Sequence, residues 1–173
     1  MKNVIIQTHR LVLREFIPED ATHMFLLNSD EEVIRFTGDK SFNNVDEART
    51  MIENYHQYEK YGHGRWTVSL DSSQEYLGWC GLSYNESSNE TDLGFRFLRQ
   101  HWGKGFATES ALACIQYAFN DLGLIKVIGR AMKENPASIR VLQKAGMRFE
   151  NEFEAHGEKC VQYCITQQKL NSL

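Results

Sequence analysis

The stretch RQHWGKGFATES, residues 99–110, constrains this chain more than any other. Before it runs TDLGFRFL, in which Leu93, Phe95 and Phe97 alternate with Asp92, Gly94 and Arg96, the pattern of a strand. After it, Ala107, Ala111, Ile115 and Ala118, flanked by Leu112 and Phe119, recur at helical spacing. Gly103 and Gly105 therefore sit where a strand turns into a helix. Glycine allows a sharp turn there and lets a ligand approach the main chain. The helix start presents unpaired N–H groups and the positive end of its dipole. Strand, glycine turn and helix start together predict an anion site, above all for phosphate.

The phosphate cradles with strict spacing do not match. A Walker loop needs Gly-Lys-Ser/Thr, but Gly105 follows Lys104. A dinucleotide fingerprint needs a small residue where Thr108 stands and an acid about 20 residues on, where the chain reads Leu124-Ile125-Lys126-Val127. A net charge of −4 argues against binding driven by attraction to nucleic acid. The opening MKNVIIQTHRLVLREF has only short apolar runs, so neither a signal peptide nor a membrane span is expected, and the expected location is the cytoplasm.

The 173 residues, without repeats or linker-like tracts, predict a single domain over 1–173. RLVLREF predicts the first strand, and Pro18 and Asp20 start a helix reaching about Asn28. DEEVIRFT predicts a short helical piece. Asn44 caps a longer helix expected to run through about Tyr61, where GHG ends it. RWTVSL, YLGWCGLSY and TDLGFRFL predict three strands in succession, and Gly94 inside the last marks a bulge or a close approach. LIKVIGRAM predicts a further strand. ENPASIRVLQKAG is a punctuated helix with Asn135 at the N-cap, Pro136 at the first position and Gly146 beyond the end. Two closing strands, about 147–154 and 159–169, meet at AHGEK. This order predicts an α/β (α+β) fold with a central mixed sheet and helices on both faces.

Of the four cysteines, Cys80, Cys114, Cys160 and Cys164, none forms a CxxC pair. His156, Cys160 and Cys164 have a spacing open to a metal reading. Their context is a strand, and four strand residues span about 13 Å, too far for two thiolates on one zinc. No metal is expected, and the thiols are expected to be free.

Gln100-x-x-Gly103-x-Gly105 between strand and helix resembles the acetyl-coenzyme A signature of the GNAT superfamily of N-acetyltransferases. The resemblance covers nearly the whole chain. THRLVLREFIPEDA resembles the start of the branch that includes ribosomal-protein N-terminal acetyltransferases, DLGFRFL its fourth strand, WGKGFATES its pyrophosphate loop, and ENPASIRVLQKAGM its second coenzyme motif. The resemblance implies a mostly antiparallel GNAT sheet with acetyl-coenzyme A as co-substrate. Main-chain groups of Phe97, Leu98 and Arg99 would pair with the pantetheine arm. Amides from Gln100 to Phe106, thus including Trp102, Gly103, Lys104 and Gly105, would hold the pyrophosphate, with Ala107 beside them. Lys104 either touches phosphate or is solvated. Asn135 would reach the pantetheine and Ser138 the sulfur. Asn135 and Ser138 also suit a plain N-cap and first turn.

Acetyl transfer needs a group to take the ammonium proton, an N–H for the oxyanion and an acid for the thiolate. Asp92 stands where relatives in the resemblance often carry glutamate and is the expected base or water relay; its simpler reading is a solvated strand residue. Glu109 is the second choice, although its first-turn position suits the helix dipole. A main-chain amide near Phe97 or Leu98 is expected to hold the oxyanion, and Ser138, ahead of Tyr163, to protonate sulfur. The acceptor cleft is expected between the early helices and the strands bearing Trp66, Tyr84 and Asp92; Trp66 and Tyr84 suit the core as well as the pocket. The expected acceptor is a peptide or ribosomal-protein N-terminal amine. The alternatives are a small amine such as a polyamine or antibiotic, or an acyl-coenzyme A sensor without turnover. Neither membrane nor nucleic acid is expected as a partner, and a homodimer stays open.

Overall fold

The structure, a computed structural model, describes residues 3–155 and 157–167. Eight strands form one sheet: β1 (Val4–Gln7), β2 (Leu11–Arg14), β3 (Arg65–Leu70), β4 (Tyr76–Asn85), β5 (Glu90–Phe97), β6 (Lys126–Met132), β7 (Arg148–Ala155) and β8 (Glu158–Thr166). Their order in space is β1-β2-β3-β4-β5-β6-β8-β7. Every neighbouring pair is antiparallel except β5 and β6, which are parallel. The mixed, mostly antiparallel sheet with helices on both faces is as expected; β1 is an addition that the broken apolar run before Thr8 did not signal.

Helix α5 (Phe106–Asn120) and helix α6 (Pro136–Lys144) pack on one face. That core joins Leu11, Leu13, Trp66, Val68, Leu93 and Phe97 of the first half-sheet to Val127, Val161 and Ile165 of the second. The other face carries α1 (Ala21–Ser29), α2 (Glu31–Ile34), α3 (Val45–Glu53) and α4 (Gln57–Tyr61), with Met24, Leu27, Ala48 and Ile52 in a second core. All of β2 is buried because both of its faces are covered, which explains why its apolar residues Leu11, Val12 and Leu13 run on without alternating.

The helix expected from Asn44 to Tyr61 is two helices. Asn44 accepts from Glu47 N as the N-cap, but the first helix stops at Asn54, whose side chain returns to Thr50 O at 2.9 Å. The break seats Tyr55 and Tyr58 on the start of β3. Arg65 N donates to Tyr55 Oη at 2.7 Å, and Tyr58 Oη donates to Arg65 O. Gly64 permits this, since a Cβ there would lie 2.5 Å from the Tyr58 ring.

Cys160 and Cys164 stand four residues apart on β8, while His156 and residues 168–169 of the last expected strand lie outside the described residues. Among the described residues no group of three His, Cys, Asp or Glu side chains could hold a metal. No helix among them is long and apolar enough to cross a membrane.

Candidate active site

β5 and β6 share one paired position, Asp92 with Ile128. Beyond it the strands part, and a cleft of about 830 Å³ opens along the C-terminal half of β5. Leu98 N donates to Leu77 O at 2.9 Å, so Leu98 faces β4. Antiparallel ladders alternate, and the N–H and C=O groups of Phe95 and Phe97 therefore face the gap. Of the two amides expected near the oxyanion, Leu98 is committed to the sheet. Phe97 N–H points the right way, and the carbonyl of Phe97 is taken by Trp102 Nε1 at 2.7 Å.

The turn that follows leads into α5. Gly103 and Gly105 have φ of +75° and +83°, the left-handed region in which a side chain is strained. A Cβ on Gly103 would meet nothing within 4 Å, so the space outside it is open. Gly105 is the N-cap of α5 and supplies no side-chain cap. The first amides of the helix are thus left for another acceptor. Arg10 braces this turn from the β1–β2 connection: Nη1 reaches Lys104 O at 3.1 Å, the guanidinium lies over Phe106, and Nη2 meets Glu109 at 2.6 Å.

Glu109 is consumed by that brace. It accepts from Thr8 Oγ1, Arg10 N and Arg10 Nε. Burial raises its pKa, but these hydrogen bonds prevail and hold it below the usual carboxylate value. It does not line the cleft, so its place as second-choice base is not supported by geometry. Tyr163 is a core residue whose hydroxyl accepts from Gln143 Nε2, also away from the cleft.

Phe97, Trp102, Ala107, Asn135, Ser138 and Asp92 line the cleft. Leu98, Arg99, Gln100, Gly103, Lys104, Gly105 and Phe106 do not: the first three precede Trp102, and the last four form the turn between Trp102 and Ala107. Arg99 is drawn off to Asp30 at 3.2 Å. Asn135 is the N-cap of α6, accepting from Ser138 N at 3.1 Å, and its Nδ2 donates to Ser138 Oγ at 2.9 Å. With its lone pair so engaged, the Ser138 hydroxyl keeps its proton for a partner in the cleft.

Trp66 and Tyr84 are not in the cleft. Trp66 is 1% exposed on the α5 side of the sheet, edge-on to Tyr117, and the Tyr84 hydroxyl donates to Asn89. Strand parity is the reason: Trp66 has the same facing as Val68 and Cys80 in the core, whereas Arg65 and Trp79 face the other way. Besides Phe95, Phe97 and Trp102, the aromatics lining the cleft are Trp79, Tyr55, Phe16, Phe36 and Phe42.

Asp92 lies at the fork of the strands. Its Oδ2 accepts from Arg65 Nη2 at 3.0 Å, while Oδ1 is buried without a partner among the described residues. Burial raises its pKa above the usual carboxylate value, against the pull of the Arg65 and Arg130 charges. Arg65 was not foreseen, yet its setting was signalled by glycines. It stands opposite Gly81 on β4, and Gly81 opposite Gly94 on β5. The side chain runs along this bare lane, so that a Cβ on Gly94 would lie 1.4 Å from Nη1. The guanidinium carbon is 4.8 Å from the centre of Trp79, and Arg96 lies over the same ring at 5.3 Å. Arg96 is tied to Asn28 and Asp39.

A strand fork that exposes main-chain groups, an uncapped helix behind a glycine turn and a carboxylate with a buried oxygen thus meet around one cleft. Residues 10–148 match the family described as Acetyltransferase (GNAT) domain, and the chain belongs to that family of N-acetyltransferases. It is 31% identical over 147 residues to the uncharacterized N-acetyltransferase p20 of Bacillus licheniformis, covering 84% of this chain and 83% of that one. A crystal structure of a GNAT-family acetyltransferase from Bacillus anthracis superposes with a TM-score of 0.83 at 25% identity, over 94% of this chain and 98% of the other. The spermidine N-acetyltransferase of Vibrio cholerae, solved with CoA and spermine, shares the fold with a TM-score of 0.79 at 20% identity, over 94% and 98% of the two chains. The narrower expectation of a ribosomal-protein branch finds no support in these relatives.

Proposed function

We propose that the protein moves an acetyl group from acetyl-coenzyme A to the primary amine of a small molecule, by direct transfer in a ternary complex. The observation that carries this reading is the fork at Asp92: a buried carboxylate oxygen without a partner, placed where β5 offers its free edge. The residues present suit the coenzyme. The free edge at Phe95 can pair with an extended amide-bearing arm, the Phe97 N–H lies next along it, and Gly103, Gly105 and the uncapped α5 can take a pyrophosphate. Bound there, the coenzyme supplies an activated thioester carbonyl.

Each remaining task falls to this chain. Asp92, directly or through a water, takes a proton from the ammonium and leaves a neutral nucleophile. The Phe97 amide donates to the carbonyl oxygen as charge develops. The C–N bond forms as C–S breaks; Ser138 gives a proton to the departing thiolate and regains one from solvent, while the second amine proton and then the one held by Asp92 pass to solvent. No cysteine lines the cleft among the described residues, which supports a path without an acetyl-enzyme. The size of the cleft supports a small acceptor, since about 830 Å³ must take the reactive ends of both substrates.

Asp92→Asn tests the assignment. Its kcat with saturating coenzyme should fall by about 10²–10⁴-fold, the usual worth of general-base help, with coenzyme affinity unchanged by calorimetry. Intersecting initial-rate lines should accompany the wild type. A variant that keeps most of its rate at every pH shows that Asp92 is no base, and a stoichiometric acetyl-enzyme by intact mass rules out direct transfer.

A further inference from the structure

Arg65 is held more firmly than an ordinary surface arginine. Tyr55 and Tyr58 hydrogen bond its backbone on both sides, its stem lies over two glycines in register, and its guanidinium rests on Trp79. Only Nη2 is hydrogen-bonded, to Asp92. Nε and Nη1 have no hydrogen-bond partner among the described residues, and the side chain, 22% exposed, lines the cleft. Arg65 and Asp92 thus present, side by side, free N–H donors and a carboxylate with one oxygen unsatisfied among the described residues.

That pair is the complement of a zwitterion in which ammonium and carboxylate are one carbon apart. We infer, on the acetyl-transfer reading above, that the acceptor is an α-amino acid, its carboxylate held by Arg65 and its ammonium by Asp92. Nη2 carries a second N–H, and together with the free N–H next to it on the guanidinium it can meet a carboxylate in two parallel hydrogen bonds. The amine is then set at the fork of β5 and β6, beside the edge where the thioester would lie.

Charge separates this acceptor from a polyamine. The cleft is lined by four lysine and arginine side chains against three carboxylates, in a chain whose net charge is −4. Asp92 and Asp39 of that lining are already paired with Arg65 and Arg96, so several ammonium groups brought to it would have to compete with those guanidiniums. An overall neutral zwitterion brings its own anion. The wall beyond Trp79 is formed by Phe16, Met24, Phe36, Phe42 and Met51, so the side chain accepted is large and apolar.

The test measures acetylation by mass spectrometry, at saturating acetyl-coenzyme A, of L-phenylalanine, L-tryptophan, L-leucine and L-methionine. L-phenylalaninamide, phenethylamine and spermidine are the comparisons. At least one amino acid should exceed its carboxylate-free analogues by tenfold or more in kcat/KM. Arg65→Gln should erase the ratio of acid to amide while leaving coenzyme affinity by calorimetry unchanged, and Arg65→Lys should restore part of it. A merely structural arginine would lower both rates and leave the ratio alone. Equal or faster acetylation of the amide, phenethylamine or spermidine overturns the inference and leaves acetyl transfer standing. If the coenzyme binds and no amine is acetylated, both readings fall.

Discussion

A methyl group on Gly94 would fall 1.4 Å from Nη1 of Arg65, an overlap no rotamer of a methyl can relieve. The atom it strikes is the far end of a flexible side chain, so the sheet can stay while the guanidinium leaves. Gly94→Ala therefore separates Arg65 from Asp92 without touching either residue. Asp92 already titrates above the usual carboxylate range because it is buried, and Arg65 opposes that shift. Without the cation its pKa should climb further, since desolvation then acts unopposed by its hydrogen-bonded partner. The sign follows: the base is active when ionised, so the acidic limb of kcat/KM should move to higher pH in Gly94→Ala. A limb in the wild-type position would mean that Arg65 does not tune Asp92. Gly94 stood out in the sequence as a strand glycine, yet what crosses it was hidden, because the crossing residue is 29 positions earlier and two strands away.

At the scale of elements, α6 depends on a single residue for its start. Asn135 caps Ser138 N and also grips its hydroxyl, so the cap and the expected proton donor are one unit. Asn135→Ala should cost about 1 kcal/mol of stability, the usual worth of an N-cap. That corresponds to a fall of about 2–4 °C in Tm for a domain of this size, read by scanning calorimetry. It should also lower kcat, because Ser138 loses the partner that fixes its rotamer; an unchanged kcat would leave Ser138 outside the chemistry. This helix was legible down to its cap, since Asn-Pro before an apolar stripe and Gly after it are local signals. The glycine turn into α5 was legible for the same reason. The break at Asn54 was not: Met51, Ile52 and Tyr55 keep helical spacing across it, and only the tertiary demand for two tyrosines at Arg65 ends the helix. The choice between core and pocket for Trp66 and Tyr84 stays open in the sequence for a similar reason. Aromatic content marks a wall, but strand parity decides which side of the sheet it faces, and a single register step reverses the answer.

For the whole molecule, the sheet is two antiparallel halves that meet at one position between β5 and β6, joined on one side by the core under α5. Anything that fills the gap binds the folded state and not the unfolded one, so it should raise Tm as its concentration rises. Acetyl-coenzyme A or free coenzyme A at 100 times Kd should add about 2.7 kcal/mol. Gly103→Asn should abolish the shift. Asparagine tolerates the left-handed conformation, and the space outside Gly103 is open in the folded protein, so the fold has no reason to fail. A variant that still shows the full shift would place the pyrophosphate elsewhere.

The same seam has a mechanical meaning. Val4 and Thr166 belong to different halves, so tension between them must cross the junction at Asp92 and Ile128 or be carried by the core behind it. A coenzyme hydrogen-bonded along the edge of Phe95 and Phe97 would share that load, as a rivet shares it across a lap joint. Turnover discards the rivet each time and replaces it. The protein is then weakest under load in the interval between releasing one coenzyme and binding the next, and its durability becomes a function of how well it is supplied with its own co-substrate.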